Sequence, residues 1–174
     1  MKSKVLQIGA AVLILVAICA AIGYHLSYPI ESNMETLPQH ILDYYNQGRS
    51  PGEGSLVVKL FDKVHIGREE YYLVEVGENL GSVTLVKGLT GRYKITHLGY
   101  GDGNFLDGVI ENSGQKYLIF GGRDVASQIS KITVSIAGQT YELQADAKDH
   151  FLLCTEINSH VEDNHVDRNS MGPV

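Results

Sequence analysis

Hydrophobic and polar positions change rhythm three times along this chain, and the first rhythm is the simplest. Residues 5–23, VLQIGAAVLILVAICAAIG, carry no charge, and Gln7 is their only strongly polar side chain. Nineteen helical residues at about 1.5 Å each extend roughly 28 Å, close to the ~30 Å hydrocarbon core of a bilayer. Tyr24, His25 and Tyr28 follow, as suits a membrane–water interface, and Pro29 ends the run because it has no N–H to donate. The pattern predicts a transmembrane helix over residues 5–28, with Val5, Leu13 and Gly23 marking its start, middle and end. A secretory signal peptide has a shorter apolar region, about 7–15 residues, although the small residues around 21–23 would suit a peptidase, so cleavage stays open. A lipid-attachment reading of Cys19 meets Ile18 where a small residue is wanted.

The second rhythm is helical and brief. Met34, Leu37, Ile41 and Tyr45 recur at three- and four-residue spacing, an apolar stripe on one helix face. Ser32 and Glu35 match a capping box, but Pro38 would then sit inside the helix. A start at Thr36 places Pro38 in the first turn, where it is tolerated. The stripe is expected to pack on the domain that follows, with a partner helix or the membrane surface as alternatives. Residues 48–54, GRSPGEG, then form a turn-rich break.

From there the period is that of strands. Residues 56–61, 71–76 and 83–86 are short apolar runs rich in aromatic and β-branched residues, with Gly67-Arg68 and residues 88–91 as turns. Residues 92–96 alternate cleanly. Residues 105–111 and 116–120 flank Asn112-Ser113-Gly114, a hairpin signal, and residues 132–136 and 140–144 make a second hairpin about Ala137-Gly138-Gln139. Residues 151–157 read as a closing strand. Eight or nine short strands joined by short loops predict a mainly β fold, an antiparallel β-sandwich or barrel-like domain. The domain plan is therefore a cytoplasmic stub (1–4), the transmembrane signal-anchor helix (5–28), a juxtamembrane helix and linker (29–54), a β domain (55–158) and a polar, disordered tail (159–174).

Charge adds direction. Lys2 and Lys4 precede the apolar run and Glu31 and Glu35 follow it, which keeps the N-terminus in the cytoplasm and the β domain outside the cell membrane. The chain has 14 Lys and Arg against 20 Asp and Glu. Without Lys2 and Lys4 the outer part keeps 12 against 20, a net −8, which lacks the basic footprint of a nucleic-acid binder. By net charge it is also not expected to adhere to an anionic lipid surface. Of two cysteines, Cys19 lies in the apolar run, so Cys154 has no partner outside it and the domain is no disulfide scaffold. Within Phe151-Leu152-Leu153, Cys154 reads as a small buried hydrophobe.

Chemistry-bearing patterns are sparse. Asp102, Asn104 and Asp107, in the polar stretch 100–108, are candidate oxygen ligands for calcium, but Phe105 and Leu106 stand where a regular calcium loop wants ligands and no closing bidentate Glu follows. A glycine-rich turn accounts for the same residues. Gly99, Gly101 and Gly103 have the wrong spacing for a dinucleotide fingerprint. Gly121-Gly122-Arg123-Asp124 reads as a turn, with Arg123 a solvated residue or a contact for a partner's carboxylate. His160 and His165 lie close together among acids, on a tail that offers no fixed geometry. Glu69 and Glu70 fall on opposite strand faces. No Gly-x-Ser-x-Gly occurs, and a thiol nucleophile would rest on Cys154 alone. The sequence thus points to no enzyme and no cofactor.

Residues 91–95 (GRYKI), 117–123 (YLIFGGR), and Tyr141 with His150-Phe151-Leu152 carry a resemblance. The chain resembles small membrane-anchored extracytoplasmic β-domain proteins of Gram-positive bacteria over most of its length. The resemblance implies the same topology and brings no activity or site residues. The expected function is a single-pass membrane protein presenting a non-enzymatic β domain, held by the lipid bilayer through its helix, that binds an envelope protein or a ligand as sensor, accessory subunit or adaptor. The alternatives are an extracytoplasmic enzyme with a site assembled from distant residues, and a calcium-dependent surface module.

Overall fold

The computed structural model describes residues 2–47, 56–101, 103–124, 126, 129–159 and 161, with the backbone alone for residues 2–6 and 8. Helix α1 spans Lys2–Ser27, and within it Gly9–Ser27 is long and apolar enough to cross a membrane, with no part buried against the rest of the chain. The side chain of Val5 lies outside the described residues; Leu13 is exposed, and open space surrounds Gly23.

Helix α2 is Leu37–Asn46. It starts late, with Thr36 at the N-cap and Pro38 in the first turn, as the cost of an interior proline requires. Thr36 makes no side-chain cap, and no capping box forms: Asn33 instead accepts from the Glu35 N–H. Leu37 and Ile41 are fully buried, so the stripe packs on the domain.

Nine strands follow: β1 (Val58–Ile66), β2 (Glu69–Val76), β3 (Asn79–Lys87), β4 (Tyr93–Gly101), β5 (Phe105–Asn112), β6 (Gln115–Arg123), β7 (Lys131–Ile136), β8 (Gln139–Gln144) and β9 (His150–Ile157). Pairing is antiparallel throughout. The strands form a four-stranded sheet β1-β2-β3-β4, a three-stranded sheet β5-β6-β9 and the hairpin β7-β8. The mainly β, antiparallel expectation holds. The polar stretch 100–108 is shorter than expected, because Tyr100 and Gly101 end β4 and Phe105 already begins β5. The turn-rich break at 48–54 lies outside the described residues, as does most of the tail; Val161, however, is buried in the core, so packing continues past residue 158.

Alternation along the strands builds the layers. On β2, Tyr72, Val74 and Val76 join Val83, Leu85, Leu37 and Ile41 in a core between α2 and the large sheet. The other β2 face sends Tyr71 and Leu73 to meet Ile119 and Leu152 of the three-stranded sheet. That sheet's far face, with Leu118, Phe120 and Phe151, packs on Ile132, Val134, Ile136 and Leu143 of the hairpin. The order is helix, sheet, sheet, hairpin.

The chain leaves α1 without a slack segment. Ile30 pairs with Tyr93 in both directions, N–H to C=O, at 3.1 and 2.8 Å. Arg92 donates to the Tyr28 and Pro29 carbonyls at 2.7 and 2.5 Å, satisfying carbonyls at the helix end. The Tyr24 hydroxyl accepts from the Thr90 N–H at 3.0 Å. Gly88 lies so close that a Cβ there would collide with the Tyr24 hydroxyl.

Because Ile41 is fully buried, Ile41→Ala is expected to cost about 2–4 kcal/mol. Denaturant unfolding of the full chain in detergent checks this. A change below about 0.5 kcal/mol, the size of an ordinary surface substitution, would mean that α2 is not part of the cooperative unit.

Candidate functional site at the end away from the helix

Strand direction separates the molecule into two ends. The β1–β2 turn, the β3–β4 turn (88–92) and the β5–β6 turn lie near α1. Asn112 of the last of these donates to the Ile66 carbonyl beside the first. The β2–β3 turn, the β4–β5 connection and the start of β9 lie at the opposite end. There Lys59, Glu75, Gly77, Glu78, Asn79 and Arg123 line an open cleft of about 490 Å³.

Glu75 is its centre. The pattern of β2 puts this carboxylate on the face turned toward the three-stranded sheet, and only 6% of the residue is exposed. An unpaired carboxylate would be costly there, and an arginine, a lysine and a histidine meet it. Arg123 of β6 donates from Nη1 to Oε1 at 3.0 Å, His150 Nε2 of β9 lies 3.3 Å from the same oxygen, and Lys59 of β1 lies 3.6 Å from Oε2. Burial pushes the Glu75 carboxyl up, but hydrogen bonds from His150 and Arg123 and the neighbouring Lys59 charge outweigh it, and the group is held below the usual range. A general base needs the opposite shift. This carboxylate is arranged to stay charged and orient cations.

Each partner is itself held. Arg123 donates from Nη2 and Nε to Asn104 Oδ1 at 3.0 and 3.4 Å, so the guanidinium spans the β4–β5 connection and β2. The His150 ring stacks on Phe61, centroids 3.6 Å apart and planes 3° from parallel. Phe61 is placed by an irregularity in β1, where the pairing with β2 shifts register between Leu60 and Lys63. Such a bulge turns side chains away from the regular alternation. Its other residue, Asp62, accepts from the Leu152 N–H at 3.2 Å, covering the outer edge of β9.

A second buried carboxylate, Glu70, faces the α2 side. Tyr72 and Tyr93 donate to it at 2.8 and 3.0 Å, and Lys63 lies 3.4 Å away. Burial pushes its carboxyl up, and the two tyrosine hydrogen bonds with the Lys63 charge bring it below the ordinary value. Burial first, then the Glu70 hydrogen bond, pushes the Tyr72 hydroxyl well up, so it remains a donor. The knot is internally satisfied and structural.

The residues singled out from sequence disperse. Asp102 lies outside the described residues. Asn104 is drawn to Arg123, and Asp107 sits within β5 opposite Phe120. Among the described residues no group of three or more His, Cys, Asp or Glu side chains converges as a metal site would require; His160 and His165 lie outside them. Arg123 is not a solvated surface residue: the carboxylate it contacts belongs to its own chain. Glu69 and Glu70 do point to opposite faces, Glu69 accepting from Tyr71. Burial raises the Cys154 thiol, the direction that keeps a thiol unreactive. The pairing of Glu75 with Arg123 and His150 has no local signal in the sequence, because the partners are 48 and 75 residues away. No family model, curated protein or solved structure matches the chain.

Glu75→Gln is expected to lower stability by about 1–2 kcal/mol near neutral pH, the scale of charge-assisted hydrogen bonds with half-exposed partners. Because the folded carboxyl lies below its ordinary value, near 4.3 when unperturbed, that contribution is complete above the unfolded value. It fades as pH falls through the folded one. Urea unfolding of both proteins across pH 3 to 7 tests this; parallel curves at every pH would show that the Glu75 charge contributes nothing.

Proposed function

We propose that the chain is a single-pass membrane protein, N-terminus cytoplasmic, that holds a non-enzymatic β domain outside the membrane and binds another envelope protein through the end away from its anchor. In this reading the two larger sheets act as the leaves of a sandwich, and the role is that of a sensor, accessory subunit or adaptor. The observation that carries it is the polarity of the body. An apolar helix with no buried part stands at one end. At the other lie the Glu75–Arg123 cleft and four exposed apolar or aromatic side chains, Val57, Phe61, Tyr100 and Phe105.

Aromatic residues and arginine are the types enriched at the centres of protein interfaces. Lys59, 61% exposed in its side chain, supplies a charge to orient a partner, and the exposed Glu78 a charge of the other sign. Arg123, fixed by Glu75 and Asn104, needs little further ordering to bind. A carboxylate held ionised between cations favours recognition over proton transfer.

The test uses a photo-crosslinking residue at Phe105 in cells expressing the full chain. Expected is a discrete membrane-associated adduct, absent when the same residue replaces Thr140 on the exposed hairpin edge and reduced several-fold by Lys59→Glu. Equal labelling from Phe105 and Thr140, or no effect of Lys59→Glu, would count against this binding end. Release of the chain by alkaline carbonate would count against the anchor.

A further inference from the structure

We infer that the β3–β4 turn is a second membrane contact: it dips into the interfacial layer of the bilayer that holds α1, with Leu89 at the boundary between headgroups and acyl chains and Arg68 and Lys87 against anionic lipid phosphates. This rests on the reading of α1 as a membrane anchor.

Depth comes from the helix junction. Tyr24 belongs to the segment long and apolar enough to span a membrane, four residues before Tyr28, and its hydroxyl accepts from both the N–H and Oγ1 of Thr90, at 3.0 and 3.2 Å. At about 1.5 Å per residue, Tyr24 lies roughly 6 Å below Tyr28 along the helix. The turn therefore reaches down beside α1 to the level where amphipathic rings such as the stacked Tyr24 and Tyr28 reside in membranes. Leu89, at the tip, is 90% exposed. Leu26, 78% exposed on α1, supplies a second apolar side chain at the same end.

Charge follows the same geometry. The outer chain is acidic in sum, yet the turns near α1 carry Arg68, Lys87, Arg92 and Lys94. Among the acids at this end, Glu31 lies 3.4 Å from Arg92 and Glu69 accepts from Tyr71. Asp43 shares a pocket with Leu26, Ser27 and Lys94, and the exposed Glu111 precedes the β5–β6 turn. Arg92 and Lys94 are occupied in the junction, the first on helix-end carbonyls and the second over the Tyr28 ring at 5.2 Å. Arg68 and Lys87 are exposed and adjacent, with Arg68 Nη2 donating to the Lys87 carbonyl at 2.8 Å; Lys87 Nζ also lies 5.8 Å from the Tyr93 ring centroid but keeps an exposed side chain. Two lysine or arginine charges beside an inserted leucine combine the apolar and electrostatic terms that hold peripheral segments to anionic lipid. Net charge is a sum over the whole outer part and does not describe the local pair of Arg68 and Lys87 beside Leu89.

The chain contains no tryptophan, so each introduced one is a single reporter. Full-length Leu89→Trp, Leu13→Trp and Val57→Trp variants would be placed in nanodiscs of phosphatidylcholine with or without phosphatidylglycerol, with brominated acyl chains as quencher. Leu89→Trp should emit to the blue of Val57→Trp and be quenched by brominated lipid, more so with phosphatidylglycerol. Arg68→Gln with Lys87→Gln should abolish that lipid dependence. Leu89→Trp as unquenched as Val57→Trp, with Leu13→Trp quenched, overturns the inference and leaves the anchor standing; an unquenched Leu13→Trp overturns the anchor reading itself. Quenching unchanged by lipid charge overturns the role of Arg68 and Lys87.

Discussion

Burial of β2 on both faces is the constraint from which the other layers follow. From Glu70 to Val76 every residue of the strand is buried. A strand in that position cannot be finished by one sheet, since each face of its pleat must be covered by something else. Helix α2 covers one side and the three-stranded sheet the other. The three-stranded sheet then has its own outer face to hide, and the β7-β8 hairpin does so. Each layer exists because the layer inside it leaves apolar surface exposed, and the stacking stops at a hairpin whose outer positions are polar.

The same constraint explains the charged networks. β2 carries Glu70 and Glu75 into burial on opposite faces, and neither tolerates isolation. Glu70 is satisfied within its own sheet, by Tyr72, Tyr93 and Lys63. Glu75 draws Arg123 and His150 from the other sheet. The first knot stiffens one sheet; the second joins two. Apolar packing alone is weakly directional, whereas a carboxylate shared by a guanidinium and an imidazole prefers one mutual placement of the sheets. The bulge at Phe61 and Asp62 adds to that choice by reaching the His150 ring and the β9 edge.

What could be read in advance divides along the same line. Elements governed by local rhythm were legible: α2 beginning after Thr36 because of Pro38, the turn at Gly67-Arg68, the hairpin around Ala137-Gly138. Strand ends were underestimated where polar residues continue a pairing, as in β1 through Asp62-Lys63 and β4 through His97 to Gly101, because a ladder needs backbone groups and tolerates polar side chains. The polar stretch 100–108 looked longer than the connection it contains for this reason, since β4 runs to Gly101 and β5 begins at Phe105. The site was illegible on other grounds. Arg123 after two glycines carries the signature of a turn, and nothing near it announces a carboxylate 48 residues earlier. The β1 bulge has no composition cue, so the stacking of Phe61 on His150 could not be anticipated from either residue.

The junction turns these layers into an oriented object. A flexible tether would let the β domain sample all directions above a bilayer, and any partner would have to supply the entropy of fixing it. Here the tether is replaced by structure: Ile30 is laddered to Tyr93, and Arg92 closes on the carbonyls at the helix end. β3 and β4 rise from that junction for nine residues each, about 30 Å at 3.3 Å per residue. On the proposed anchoring, a domain carried this way would hold its Glu75 cleft at a set height above the membrane and a set angle to α1. In the proposed reading, such a cleft would meet partners that are themselves membrane-bound and present a complementary surface at that height. A freely diffusing partner would gain nothing from the rigidity. Under the proposed function, the stiff connection at one end and the pre-oriented arginine at the other would therefore favour the same kind of partner, one anchored in the same membrane.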